Sequence, residues 1–295
     1  MQRYKTKIVL LSILSILIIT PWSIRQTLFE WWMRFSLRNE HIVVSLTTTP
    51  YRVHSMRAVI NFILAENIPL KALYVNIPYV FKRDNIEYVI PEYLLNDKRI
   101  TVLRPNDYGP GTKLLGTLEQ AKLPPDAILI TVDDDIIYPK NILLYLAYKA
   151  KRNPNYAIGL SGMNPHYNRK GQIITDSLYG IGLKAVKRNN AFVAILEGFG
   201  SIAYRPKFFD ASIFALENAP RECRNSDDLY ISFYLAKRNV PRQVLRNKYM
   251  HLEKIGWNPG VGLNKDALHQ LTPSPAERHR ACVAFMKAQD PDVPF

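Results

Sequence analysis

From His41 onward the chain alternates between two hydrophobic periods. "HIVVSLTT" (41–48), "KALYVNIP" (71–78), "RITVLRP" (99–105) and "DAILITV" (126–132) are short apolar, β-branched runs. They predict four strands. Between them lie segments with helical spacing. In "VHSMRAVINFILAEN" (53–67), Val53, Met56, Val59, Ile60, Ile63 and Leu64 share one face. "GTKLLGTLEQAK" (111–122) and "NILLYLAYKAK" (141–151) predict two more helices, and "NYAIGLSG" (155–162) a further strand. Strand and helix alternating at this spacing predict an α/β domain with a mixed, mostly parallel sheet flanked by helices.

The second half is less regular. Residues 171–205 are glycine-rich and read as short strands, and "HLEKIGWNPGVGLNKD" (251–266) as a glycine-rich loop. Between them, "NSDDLYISFYLAKRN" (225–239) predicts a helix with Ser226 as N-cap and Asp227 and Asp228 in its first turn.

Ahead of the domain, residues 8–24 are apolar and uncharged, preceded by Arg3, Lys5 and Lys7. A helix over that run, at about 1.5 Å per residue, is at the short end of what spans a bilayer. No small-x-small cleavage pattern follows, so an uncleaved anchor is expected. "RQTLFEWWMRFSLR" (25–38) then suits an interfacial helix, with Trp31 and Trp32 at headgroup level and Arg25, Arg34 and Arg38 at its edges. The expected division is a membrane anchor with its interfacial helix over 1–40, touching membrane lipid, and one catalytic domain over 41–295.

The 295 residues, 47% hydrophobic, suffice for a large core. The net charge of +14 suggests an anionic partner. No dense Lys/Arg block with interleaved aromatics is present, so nucleic acid is not expected. Cys223 and Cys282 are too few and too far apart for a zinc signature or a disulfide framework. A single bridge stays open, but two buried thiols in a reducing compartment are the expectation. The chain also has no N-x-[ST] sequon and no long Ser/Pro-rich stem. A bacterial inner membrane with the catalytic domain in the cytosol accounts for these features, with a Golgi lumen as the alternative.

The strand at 126–132 runs into Asp133, Asp134 and Asp135. Consecutive carboxylates repel, and burying them is costly unless cations or a metal meet them. Acidic residues at the carboxyl end of a parallel strand lie where open α/β sheets bind ligands. A Walker B role needs a G-x-x-x-x-G-K-[ST] loop, and "YGPGTKLLG" lacks that spacing. An aspartyl phosphatase needs the cluster near the domain start with a Thr two residues after its second Asp; position 137 is Ile. A nucleotide-sugar transferase uses such carboxylates to hold Mg2+ or Mn2+, which neutralises a departing nucleoside diphosphate. An acidic turn with no ligand remains the alternative.

Just upstream, Gly109 and Gly111 precede Lys113, with Thr112 placed to cap the following helix. A lysine in a first helical turn opposes the helix dipole. It makes sense beside glycines if an anion such as a diphosphate binds there.

Together, "TTTPYR" after the first strand, the helix behind it, the 133–135 cluster, "EGFGSIAYR" (197–205) and the "SDD" helix resemble a GT-A-fold, Rossmann-like glycosyltransferase over most of residues 41–255. That resemblance implies a nucleotide-sugar donor and a glycan or lipid-linked acceptor. It implies Thr48, Pro50 and Arg52 at the base and phosphates, with Lys113 at the diphosphate. Asp133 would contact ribose, Asp135 would ligate the metal, and Asp134 would do either. His251 would add a metal ligand, and Lys254 and Lys265 would close over the diphosphate. Glu197, Gly198 and Gly200 would stand near the acceptor. Asp227 or Asp228 would be the general base of an inverting reaction, its carboxylate form favoured by the helix dipole. Two alternatives remain, a metal-dependent nucleotidyltransferase and a non-catalytic binding module of the same fold.

Overall fold

The structure is a computed structural model that describes residues 21–167, 169, 173–174, 191–245, 256–257, 268 and 272–293. The apolar run up to residue 20, His251, Lys254 and Lys265 lie outside the described residues.

Eight strands make the main sheet: β1 (Ile42–Thr47), β2 (Leu70–Asn76), β3 (Ile100–Leu103), β4 (Ile128–Thr131), β5 (Ala157–Gly159), β6 (Ala191–Phe192), β7 (Ile202–Tyr204) and β8 (Arg242–Val244). Their spatial order is β6-β8-β5-β7-β4-β1-β2-β3. The half from β3 through β2 and β1 to β4 is parallel throughout. Strand β7 then runs antiparallel to both β4 and β5; β8 is parallel to β5, and β6 antiparallel to β8. The expected mixed, mostly parallel sheet is therefore present. Its helices are α1 (Trp22–Leu37), α2 (Arg57–Ala65), α3 (Glu92–Asn96), α4 (Thr112–Gln120), α5 (Ile142–Arg152), α6 (Arg221–Arg224), α7 (Asp227–Lys237) and α8 (Pro275–Gln289).

Both faces of the central strands are covered, which is why β1 and β4 read as continuous apolar runs. Ile42, Val44, Leu46, Ile128, Ile130 and Val132 point into the core shared with α1, α2 and α5. Val43 and Leu129 point into the other, shared with α4, α7 and α8. Period-two alternation thus splits each strand between two layers. Under α4 the contact is polar. Ser45 Oγ donates to Lys113 O at 2.5 Å, and Asn76 Nδ2 donates to Ser45 Oγ at 2.8 Å and Thr117 Oγ1 at 3.0 Å. These buried bonds fix α4, and hence Lys113, against the carboxyl ends of β1 and β2.

Helix α1 packs on α5. Met33 and Leu37 are fully buried, and the Phe29 and Trp32 rings meet Tyr148 at 6.0 and 5.1 Å. Lys151 Nζ bonds Ser36 O at 2.5 Å and pairs with Glu40 at 3.0 Å. The opposite face leaves Ile24, Leu28, Trp31 and Phe35 48–62% exposed, one stripe at helical spacing. Among the described residues no helix is long and apolar enough to cross a membrane.

The cysteine expectation is corrected. Cys223 on α6 and Cys282 on α8 form a disulfide, with Cα atoms 4.7 Å apart. Two cysteines 59 residues apart in the chain meet because their helices pack side by side, a proximity no local spacing could reveal. Closing a loop of that length restricts the unfolded chain, worth about 4 kcal/mol in the loop-entropy account.

Candidate active site

A cavity of about 640 Å3 opens at the carboxyl ends of β1 and β4. The three aspartates after β4 keep the strand's alternation. Asp134 turns inward, its side chain 4% exposed, while Asp133 and Asp135 face the cavity at 24% and 23%. Asp134 Oδ2 accepts from Thr48 Oγ1 at 2.5 Å, and its Oδ1 lies 3.0 Å from Arg52 Nη1. The same Arg52 nitrogen bonds Asp135 Oδ2 at 2.9 Å. Asp134 therefore clamps the "TTTPYR" turn to the end of β4. Burial pushes its carboxyl up to about 7 despite Arg52. Burial and the Asp133 charge raise Asp135 as well.

On the other side of Asp133 stands Lys113, its Nζ 2.8 Å from Asp133 Oδ1 and 3.7 Å from Asp227 Oδ2. Lysine 113 is buried, so the expected anion-ready cation already has carboxylate partners. Burial alone would lower its pKa; Asp133, Asp227 and Asp228 outweigh that and hold it well above its usual value. Thr112 does not cap α4. Its hydroxyl turns back to accept from the Tyr108 N–H at 2.9 Å, and Gly111 occupies the cap position.

Asp227 and Asp228 open α7. Asp228 Oδ2 accepts from the Gly198 N–H at 2.9 Å. A Cβ at position 198 would sit 2.7 Å from Lys113 Nζ and 2.8 Å from Asp228 Oδ1, so glycine is what allows this approach. Ser226 holds the N-cap position without a capping bond, its hydroxyl buried and unpartnered among the described residues. The helix-dipole support expected for the carboxylate form of the dyad meets an opposing effect. Burial raises both carboxyls, and each feels other carboxylate charge besides, so desolvation outweighs the dipole and Lys113.

Of the other expected site residues, Glu197 lines the cavity and accepts from Ser161 Oγ at 2.6 Å. Pro50 and Gly200 do not line it. Pro50 shapes the turn after β1, and Gly200 packs on Ser161, where a Cβ would come within 2.7 Å. Gly198 acts as the spacer already described. His251, Lys254 and Lys265 lie outside the described residues.

Other groups escaped the sequence reading. Tyr138 OH donates to Phe199 O at 3.1 Å and accepts from the Asp133 N–H at 3.4 Å, tying the acidic turn to the 197–200 loop. Phe81 and Tyr88 form an edge-to-face pair on the cavity wall near Thr48. Arg221, Arg224, Arg278 and His279 line the side nearest the dyad. For Arg221 and Arg224 the one available signal was proximity to the "SDD" stretch; α8 gave none.

No three metal-ligating side chains converge among the described residues. The donors at the mouth are the hard oxygens of Asp133 and Asp135. That set suits Mg2+ or Mn2+, which one or two carboxylates hold while substrate phosphates and water complete the shell. Loading such an ion requires Lys113 and Arg52 to share the carboxylates they now engage.

No family model matches this chain, and no curated protein matches it. Among solved structures it is similar in part to one described as "Crystal structure of GalNAc-T7 with UDP, GalNAc and Mn2+". The TM-score is 0.47 and the identity 12%, over 70% of this chain and 41% of that one. The chain thus spans less than half the length of that protein, and so loose a superposition says nothing of its chemistry.

Proposed function

We propose that this chain is a divalent-metal-dependent glycosyltransferase that moves a sugar from a nucleoside-diphosphate sugar to a glycan or lipid-linked acceptor. One observation supports this above the others. One cavity gathers Asp133 and Asp135 with Arg52, the pair Asp227 and Asp228, and Lys113 between Asp133 and Asp227. Asp133 and Asp135 would hold Mn2+ or Mg2+, which supplies charge neutralisation to a leaving diphosphate. Arg52 and Lys113 would bind the same phosphates. Phe81 and Tyr88 offer a flat apolar wall for a nucleobase. Asp228, held by the Gly198 N–H, would take the acceptor's proton.

Incubation with a panel of nucleotide sugars and Mn2+ should release nucleoside diphosphate. Pyrophosphate from a nucleoside triphosphate would instead mark a nucleotidyltransferase. Neither product would leave a binding module.

Membrane attachment and compartment belong to the same proposal. The exposed stripe of α1, bordered by Arg25, Arg34 and Arg38, continues the apolar run before it and suits an anionic bilayer surface. The disulfide removes one support for a cytosolic domain and favours an oxidising compartment. The full chain should pellet with membranes and stay there less firmly when Trp31 and Phe35 become serine. Protease added outside spheroplasts should digest the domain; protection would return it to the cytosol.

A further inference from the structure

The dyad side of the cavity carries cations that the proposed transfer leaves without a task. Arg221 and Arg224 on α6 line it, with Arg278 of α8 beside them; His279 also lines it, but burial lowers its pKa to about 4 and leaves it neutral. The wall is built rather than incidental. Cys223, between the two α6 arginines, is bridged to Cys282 of α8, so the two helices cannot part. Gly109 closes the wall from the other side. It has φ +64°, and a Cβ there would lie 2.9 Å from Arg224 O, so only glycine allows the 109–111 turn to press against Arg224. Arg278 is buried and oriented by carbonyls, donating to Pro273 O at 2.5 Å and Leu268 O at 2.8 Å. Its pKa is lowered by burial and by the like charge of Arg221, which places those two guanidinium groups within each other's field.

The ion pairs formed among the described residues do not engage Arg221 or Arg224. Like charges gathered on one cavity wall repel one another, a cost relieved when an anion enters. The other wall has its own cations for a diphosphate in Arg52 and Lys113. Arg224 stands three residues before Asp227, so the arginines adjoin the dyad in the chain.

We propose that Arg221 and Arg224 form an anion subsite on the acceptor side of this cavity, and that the acceptor carries a phosphate or carboxylate. The choice of acceptor side rests on the transferase reading; the anion subsite does not. Guanidinium groups bind either anion through paired, charge-assisted hydrogen bonds.

The test is calorimetric titration of the full chain in detergent, with saturating UDP and Mn2+. Glucose 6-phosphate and glucuronic acid are the probes, and glucose is the neutral control. The charged sugars should bind about tenfold or more tighter than glucose, the worth of one charge-assisted hydrogen bond. The Arg221→Gln/Arg224→Gln variant should lose that preference and keep its UDP affinity. Arg221 is exposed and Arg224 partly so, and Arg221→Gln alone serves if the double variant unfolds. Preference for the phosphate or for the carboxylate identifies the group. Equal binding of charged and neutral sugars, or no sugar binding, overturns the subsite. Loss of UDP affinity in the variant, with sugar binding unchanged, would assign the arginines to the donor diphosphate and overturn it too. An intact anion preference in a chain that binds no nucleotide would keep the subsite and sink the transferase reading instead.

Discussion

Two acidic clusters line the cavity and meet at Lys113, and they are held in different ways. The 133–135 turn ends a strand, leaves two of its carboxylates about a quarter exposed, and meets a separate cation at each end. The dyad opens a helix, buries Asp227, and shares one buried lysine with the turn. The first arrangement lets charge change hands with solvent, a metal or phosphate. Burial raises carboxyls in both, Asp134 and Asp135 in the turn as well as Asp227 and Asp228 in the dyad. Primary structure shows only runs of aspartate in both places, so their different cation partners come from the tertiary fold alone.

The largest effect expected is on the exposed cluster. Asp135→Ala should reduce nucleoside diphosphate release roughly a thousandfold, the worth of several kcal/mol of charge stabilisation. Arg52 keeps Asp134, so the thermal midpoint should hardly move. Undiminished turnover in excess chelator would end the metal assignment.

The dyad should fail differently. Asp228→Asn should lower kcat by about 10²–10⁴-fold while donor KM holds, because only the proton transfer is lost. A normal kcat with a lower melting point would make the pair a helix-start feature alone.

Lys113 joins the two clusters, and Lys113→Met should expose how much each depends on it. Asp133, Asp227 and Asp228 would then be left without their shared cation, with Asp227 buried, costing about 3–5 kcal/mol in chemical unfolding. Adding Asp227→Asn should recover part of the loss. If the single variant is as stable as the parent, the clusters are independent.

The gentlest test leaves activity alone. Glu66, at the end of α2, is a buried carboxyl that forms no ion pair among the described residues, and burial pushes its pKa up to about 8. Its carboxylate is turned toward the first N–H groups of α5, which pull the value down without closing a sound hydrogen bond. The folded state keeps a proton that the unfolded chain releases near pH 4.5. This group's contribution to stability is therefore fully present below about 4.5 and is lost as pH rises through about 8. Glu66→Gln should flatten that fall in melting curves taken across the window; an unchanged slope would show the carboxyl to be solvated.

The parallel half was legible because each strand there is a single run buried on both faces, and each helix between strands shows one apolar face. The half beyond β5 was not. Strand β7 is three residues long, and its antiparallel place between β4 and β5 depends on tertiary pairing that leaves no local period. Within the site, the acidic runs and Lys113 could be picked out, since charges at element ends are conspicuous. Their partners could not. The bond from Thr48 to Asp134, the pair of Lys113 with Asp227, and the bridge from Cys223 to Cys282 each join segments far apart in the chain.

Helix α1 has one more consequence. Only residues 38–41 separate it from β1, and its buried side is locked onto α5. A bilayer bound at its exposed stripe would hold the domain as a bracket holds a shelf. The cavity mouth would stand at one height and one tilt above the lipid. Acceptors would then be sorted by how far their reactive end projects from the surface, before any side chain in the cavity touches them.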